Sequence, residues 1–258
     1  MTAANADLHV PRTIAVADDA LCADACREIY AQRPRWTARR FNGKPPFYTL
    51  GRAAYADLDF VKMPLEEYLV GVGSVWEWAG EAVATLLERV RAALEDALGA
   101  PAVFAGVLPE PGFHIFIGAA IPRTDCARHA DDCASSHFDL QYRCVPWERW
   151  YANADMTSTI SFTLPLRLPL AGGGLTVWDE LEFQRLREEI ARGTFDSVAA
   201  AAHGRPGRTI PYEVGSLVVH SGHVLHQIAG VRKAAVVEER ITLQGHGVYA
   251  DGAWRLYW

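Results

Sequence analysis

Polar and apolar positions alternate in two different ways along this chain, and the change falls near residue 100. In the first part, apolar residues recur at helical spacing. Leu21, Ala25 and Ile29 share one face of a helix that Asp18 or Asp19 would cap and that runs to about Gln32. Trp78, Ala82, Leu86, Val90, Leu94 and Leu98 recur near the same period. Ser74 and Glu77 are spaced as a capping box, and Gly99 provides a stop. This pattern predicts a long helix over Ser74–Leu98 that buttresses a sheet. Thr13–Val16 and Trp36–Phe41 read as short strands, and Phe47–Tyr68 as irregular.

After Pro101 the runs shorten and are punctuated by Gly and Pro. Strands are predicted over Ala102–Val107, Phe113–Gly118, His137–Arg143, Thr157–Leu166, Leu175–Trp178, Thr209–Tyr212, Leu217–His220, Leu225–Ala229, Arg240–His246 and Trp254–Trp258. A helical insertion is expected over residues 180–202, as Glu180 to about Arg192 and then Ser197–Ala202. Helices first and many short strands afterwards predict an α+β fold. We expect a single domain over 1–258, in which a mixed α/β support region, 1–100, backs a core at 101–258. The core is expected to be a double-stranded β-helix, a jelly-roll or cupin-like barrel.

Composition narrows the function. The 258 residues carry a net charge of −6 and no long basic stripe, which argues against a nucleic-acid partner. Arg33, Arg35, Arg39 and Arg40 read as a solvated face. No run approaches 18 apolar residues, so no membrane span is expected. Five cysteines, an odd number without framework spacing, and an N-terminus unlike a signal peptide suit a reducing cytoplasm. Cys22 and Cys26 are expected in the core. Cys126, His129, Cys133 and His137 offer zinc-type donors, but not at the usual zinc spacings, and residues 122–136 read instead as a mobile loop at the mouth of a site.

The segment His137-Phe138-Asp139 carries the chemistry. On an extended strand its imidazole and carboxylate turn to one face, and Gln141 would share that face. A second imidazole from a distant strand would complete a three-ligand set with open positions, as in non-haem Fe(II) sites that admit O2. Three histidines compete for that place: His220, His223 and His226. Arg240 and Thr242 also share a face. An inward arginine needs an anionic partner, whereas an edge-strand arginine would pair with Glu238 or Glu239.

These residues, taken together, resemble the Fe(II)/2-oxoglutarate-dependent oxygenases, whose pattern is His-x-Asp, a long gap, a histidine and a later arginine. Gly215, Leu217 and Val219 match the strand that leads to the distal histidine, and Gly172-Gly173-Gly174-Leu175 matches a Gly-Gly-x-Leu strand. The resemblance covers roughly residues 100–258. It implies His137, Asp139 and His226 as ligands of Fe(II), and Arg240, assisted by Thr242, as the anchor of the far carboxylate of 2-oxoglutarate. Gln141 becomes a candidate co-substrate contact, with His114 and Trp178 weaker ones and Trp147, Trp150 and Tyr151 possible caps of the pocket. Asp139 occupies the corner that related halogenases leave open, so hydroxylation of a small soluble substrate is favoured, with release of succinate and CO2. A cupin-like isomerase or a 2-oxoglutarate-independent dioxygenase would keep the three ligands without needing Arg240. A non-catalytic ligand-binding barrel would keep only the fold.

Overall fold

The computed structural model describes residues 8–40, 46–70, 74–121, 135–170, 172–203, 205–231 and 237–258. The loop expected to act as a lid, with Cys126, His129 and Cys133, lies outside them except for its last two residues. The first helix, α1 (Asp19–Ala31), begins as expected: the Asp18 carboxylate accepts the Leu21 N–H at 2.8 Å. It buries Cys22, Ala25, Cys26 and Ile29, the stripe that its apolar spacing predicts.

The long predicted helix starts later than its apolar periodicity implies. Ser74 caps only a single 3₁₀ turn, Val75–Glu77, by accepting the Trp76 N–H. Helix α3 (Glu81–Leu98; α2 is Leu65–Val70) starts at Gly80. There Glu28 of α1 reaches across and accepts the N–H groups of Ala82 and Val83 at 3.0 and 2.9 Å. That carboxylate fills the space a side chain at 80 would need, since a Cβ there would lie 2.4 Å from its oxygen. A tertiary cap has replaced the local one. Gly99 ends the helix in the left-handed region, at φ 64°.

Among the described residues, twelve strands form two sheets. In chain order they are β1 (Arg12–Ala15), β2 (Thr37–Arg39), β3 (Phe47–Leu50), β4 (Ala102–Phe104), β5 (Gly112–Ile117), β6 (Ala154–Arg167), β7 (Gly174–Glu182), β8 (Arg208–Pro211), β9 (Ser216–Ser221), β10 (Val224–Ala229), β11 (Glu239–Ala250) and β12 (Ala253–Tyr257). The larger sheet has nine strands in the order β1-β9-β6-β11-β5-β3-β2, and β12 joins the far half of β11 to β4. The smaller sheet is β10-β7-β8. All pairings are antiparallel except β12 with β4. The helical insertion appears as α4 (Phe183–Ala191) and α5 (Val198–Ala202).

Alternation along the strands sorts the residues. Phe113 and Ile115 of β5, Ile160, Phe162 and Leu164 of β6, Leu217 and Val219 of β9, and Ile241 and Leu243 of β11 pack together with α1 and α3. The opposite face of the same strands therefore carries His114, Ser161, Val218, His220, Arg240, Thr242 and His246. Val218 meets Leu175, Val177 and Val224 of the smaller sheet, so the two sheets close on one another. Leu225 points the other way, onto α4 and α5.

Three expectations need correction. Phe47–Tyr68 is not irregular: it contains β3, which extends the larger sheet, a π-helical turn Tyr55–Phe60, and α2. The strand expected over His137–Arg143 is reduced to a single bridge, described below. Arg39 is not on a solvated face. It is buried, its Nε donates to Thr49, and its two terminal nitrogens donate to the two oxygens of the buried Asp57 carboxylate at 2.6 and 3.0 Å. Removing one member of such a pair leaves the other charged and unpaired. Asp57→Ala is therefore expected to lower unfolding stability by about 3–5 kcal/mol, and combining it with Arg39→Met should recover much of that loss in denaturant titrations.

Candidate metal centre and the buried cationic end

His137 and His226 face each other across the edge of the smaller sheet. Each donates its backbone N–H to the other's carbonyl, at 2.9 and 3.0 Å, in an isolated antiparallel bridge. Asp139 N–H donates to Gly222 O at 3.0 Å, which holds the following turn in place. Phe138, between them, points outward onto Phe183. The period-two argument thus holds for three residues only. At Leu140 the chain leaves the extended region and enters a 3₁₀ turn, Gln141–Cys144. Tyr142 drives this departure: it is buried, its hydroxyl meets His223 Nε2 at 2.8 Å, and its carbonyl accepts the Trp147 indole N–H. Gln141 is buried on that turn, so alternation does not put it beside His137 and Asp139.

The three predicted ligands converge. Nε2 of His137 lies 3.6 Å from one Asp139 oxygen and Nε2 of His226 lies 3.4 Å from the other. One donor atom from each residue lies within 4.8 Å of the other two. Both imidazoles pair through Nδ1 with a backbone carbonyl, Ser135 O at 2.8 Å for His137 and Val224 O at 2.9 Å for His226. A carbonyl can only accept, so Nδ1 of each ring carries a proton and Nε2 is the atom turned toward Asp139; on His226, which that carboxylate raises against the effect of burial, a metal would replace the Nε2 proton and leave the Nδ1–H form. This is the tautomer a metal ligand requires, with its outer hydrogen bond already made. Burial alone would raise the Asp139 carboxyl, but the facing His226 outweighs it and holds that group well below the usual carboxylate range. His137 is half-exposed, while Asp139 and His226 are largely covered, so the donor set opens to one side. Two imidazole nitrogens and one carboxylate fit a ferrous ion with open positions.

The histidine competition resolves geometrically. His223 is engaged by Tyr142. His220 is buried with its ring 4.6 Å from that of His226, and its Nδ1 donates to Ser221 O. Burial pushes it down to about 3, so it is neutral. His246, which sequence reasoning passed over, lies with Nδ1 4.0 Å from Asp139 and 3.0 Å from Ser161 Oγ. Its signal was present: 240, 242, 244 and 246 share one face of β11.

Arg240 lies on that same inner face. It is 2% exposed, which excludes an edge-strand pairing with Glu238 or Glu239. None of its three guanidinium nitrogens makes a hydrogen bond of standard geometry, and neither does Thr242 Oγ1. The rings of Phe116 and Tyr212 flank the cation at 5.6 and 5.4 Å. Tyr212 is close enough to interact with both Arg240 and Asp139, and its hydroxyl is within pairing range of the guanidinium. A buried guanidinium with no acceptor is costly, and a carboxylate of matching shape would satisfy it bidentately. The donor set therefore fits the distal carboxylate of a dicarboxylic acid.

Other sequence-stated candidates fall elsewhere. Trp178 packs beneath α4 and α5 and donates its indole N–H to Arg205 O, outside the interior. Trp147, with Trp150 and Tyr151, belongs to a packing cluster that includes Tyr68, Tyr142 and Tyr257. Cys22 and Cys26 are core residues, as expected, and burial raises both thiols to about 11. No described helix is long and apolar enough to cross a membrane.

No protein-family description and no curated protein sequence matches this chain. Solved structures do. The non-heme alpha ketoglutarate dependent carbocyclase SnoK from nogalamycin biosynthesis is similar with a TM-score of 0.54 and 13% identity, over 95% of this chain and 81% of that one. The non-heme alpha ketoglutarate dependent epimerase SnoN from the same biosynthesis is similar with a TM-score of 0.52 and 11% identity, over 93% of this chain and 80% of that one. At such identities the likeness speaks to the fold, and the fold of this chain is the one these alpha ketoglutarate (2-oxoglutarate) dependent, non-haem enzymes share.

Proposed function

We propose that this protein is an Fe(II)- and 2-oxoglutarate-dependent oxygenase acting on a C–H bond of a small soluble molecule, an amino acid or a natural-product intermediate. Residues 1–258 would form one oxygenase domain, and the crossing of the chain between the two sheets along β6–β11, strand by strand from β8 on, reads as a double-stranded β-helix. The observation that carries the proposal is the pairing of two unfinished sites in one interior. A His–Asp–His donor set lies at one end, and at the other lies a buried guanidinium that makes no hydrogen bond of standard geometry among the described residues. A metal isomerase or a 2-oxoglutarate-independent dioxygenase would account for the first but leaves the second unexplained.

Bound iron, O2 and 2-oxoglutarate would supply the oxidising power, with succinate and CO2 as co-products. The chain's own tasks follow from its residues. His137, Asp139 and His226 would fix the metal, their Nδ1–carbonyl bonds holding both imidazole planes. Arg240 and Thr242 would orient the co-substrate through its far carboxylate, and Gln141 remains a candidate contact. The apolar walls, Val218, Val224 and Phe116 among them, would exclude bulk water. The two similar enzymes are named for carbocyclisation and epimerisation, which supports a natural-product substrate and leaves outcomes besides hydroxylation open to the same site. A cytoplasmic setting suits the free, reduced thiols.

The direct test is anaerobic addition of Fe(II) and 2-oxoglutarate to the purified protein. A visible metal-to-ligand charge-transfer band should appear, and admission of O2 should release succinate. Folded, iron-loaded protein that gives neither would overturn the reading.

A further inference from the structure

His114, one of the weaker co-substrate candidates in the sequence, has no task in the scheme above, yet it sits in the same interior. It is 5% exposed and lies on the inner face of β5, in register with Thr242 of β11. Its Nε2 meets the hydroxyl of Tyr55 at 2.7 Å. Its Nδ1 makes no hydrogen bond of standard geometry; the Gln244 side chain, next inward on β11, is the described group close enough to interact with the ring. The buried orphans His114 Nδ1, Thr242 Oγ1 and the Arg240 nitrogens thus fall on adjacent strands, on one face, at one end of the interior.

The partner on the other side of the ring settles what Nδ1 can do. Burial raises the Tyr55 hydroxyl well above its usual range, so it keeps its proton. That hydroxyl pairs with His114. If Nε2 carried the hydrogen, the phenolic proton would be left without an acceptor in a buried site, at a cost of about 1–3 kcal/mol. With the phenol donating to Nε2, the neutral ring carries its proton on Nδ1. Neutrality is secure, because burial and then the Arg240 charge push His114 down to about 3. Tyr55 is held in turn by the π-helical turn, whose Asp57 is fastened to Arg39, and π-helical turns often serve functional sites. Phe47, Phe116 and Trp258 pack around the imidazole and fix its plane.

We propose that His114 is a ligand-binding residue: its Nδ1–H, set by Tyr55, donates to the same terminal carboxylate that Arg240 and Thr242 bind. A carboxylate offers about four lone-pair sites. Two guanidinium N–H groups, one hydroxyl and one imidazole N–H fill them. The inference rests on the proposed function, in that it assumes a dicarboxylic 2-oxo acid as the occupant.

Two replacements separate the two edges of the ring. Asn at 114 keeps a donor near the Nδ1 position and loses the link to Tyr55, whereas Gln keeps a group near Nε2 and loses the Nδ1 donor. Calorimetric titration of Mn(II)-loaded protein with 2-oxoglutarate should show affinity falling roughly tenfold or more in His114→Gln and by no more than about threefold in His114→Asn. Titration with 2-oxopentanoate, which lacks the far carboxylate, should change by less than about twofold in either variant. If His114→Gln binds 2-oxoglutarate as the parent does while Arg240→Met does not, His114 is no ligand and the proposed function stands. Equal losses for both acids would make its role structural and overturn the inference. Parent protein that binds neither acid would remove both readings together.

Discussion

Asp139→Ala is expected to weaken divalent-metal binding by more than about 100-fold, the largest single effect on this site. Changing even an outer partner of a metal ligand commonly costs 10–100-fold, and Asp139 is the sole anionic donor among the three. Its two oxygens face the two imidazoles, at 3.6 Å and 3.4 Å, so its loss leaves only two imidazoles, their ring centres 4.5 Å apart, to hold the metal. Equilibrium dialysis with Co(II) or Fe(II) would measure the loss, and circular dichroism would establish that the fold persists. The neighbouring histidines supply the control. His246 and His220 are close to the ligands but lie outside the three-donor cluster, so His246→Ala and His220→Ala should each change affinity by less than about tenfold. Metal binding retained in Asp139→Ala but lost in His246→Ala would mean that the donor set has been misassigned.

Which parts of this were legible in the sequence depends on whether the decisive interaction was local. Strand alternation is local. It correctly placed Arg240 and Thr242 on the inner face of β11, and the same rule, carried two and four residues further, would have reached Gln244 and His246. The Nδ1 partners of His137 and His226 are carbonyls two residues back in the chain, so both ligands are oriented by their own segments. The α1 cap is equally local.

Where the reading failed, a distant group had won. Glu28 caps α3 from another helix, and the capping box at Ser74 has no influence over residues 81 onward. His223 draws Tyr142 out of the strand that propensity would continue past Asp139, and Gln141 moves with it. Asp57, eighteen residues on, turns Arg39 from a surface charge into a core ion pair. The segment holding Asp57 and Tyr55 showed no periodicity because a π-helical turn matches neither the helix nor the strand template. His114 was visible only as a weaker candidate contact on a strand. Its meaning came from Tyr55 and Thr242, which approach it from remote parts of the chain.

Replacing Arg240 by methionine should abolish tight 2-oxoglutarate binding without harming the unliganded fold, a combination that a purely structural arginine would not give. The binding side follows from two charge-assisted hydrogen bonds, together worth about 3–5 kcal/mol, or roughly 10²–10⁴-fold in affinity. The stability side follows from burial. Arg240 is 2% exposed and no guanidinium nitrogen makes a hydrogen bond of standard geometry among the described residues, and such desolvation costs several kcal/mol. Contacts with Phe116 and Tyr212 return about 1–2 kcal/mol each at most, and methionine would keep some of that packing. Unliganded Arg240→Met is therefore expected to unfold at a denaturant concentration equal to or above that of the parent. Ligand response separates them further: with 2-oxoglutarate at 100 times its Kd, the parent should gain about 2.7 kcal/mol and the variant almost nothing. Arg240→Lys should lie between, since an ammonium keeps the charge but cannot present the paired N–H groups. A methionine variant that is markedly less stable, yet still stabilised by 2-oxoglutarate, would show that this guanidinium serves the core and that the acid binds elsewhere.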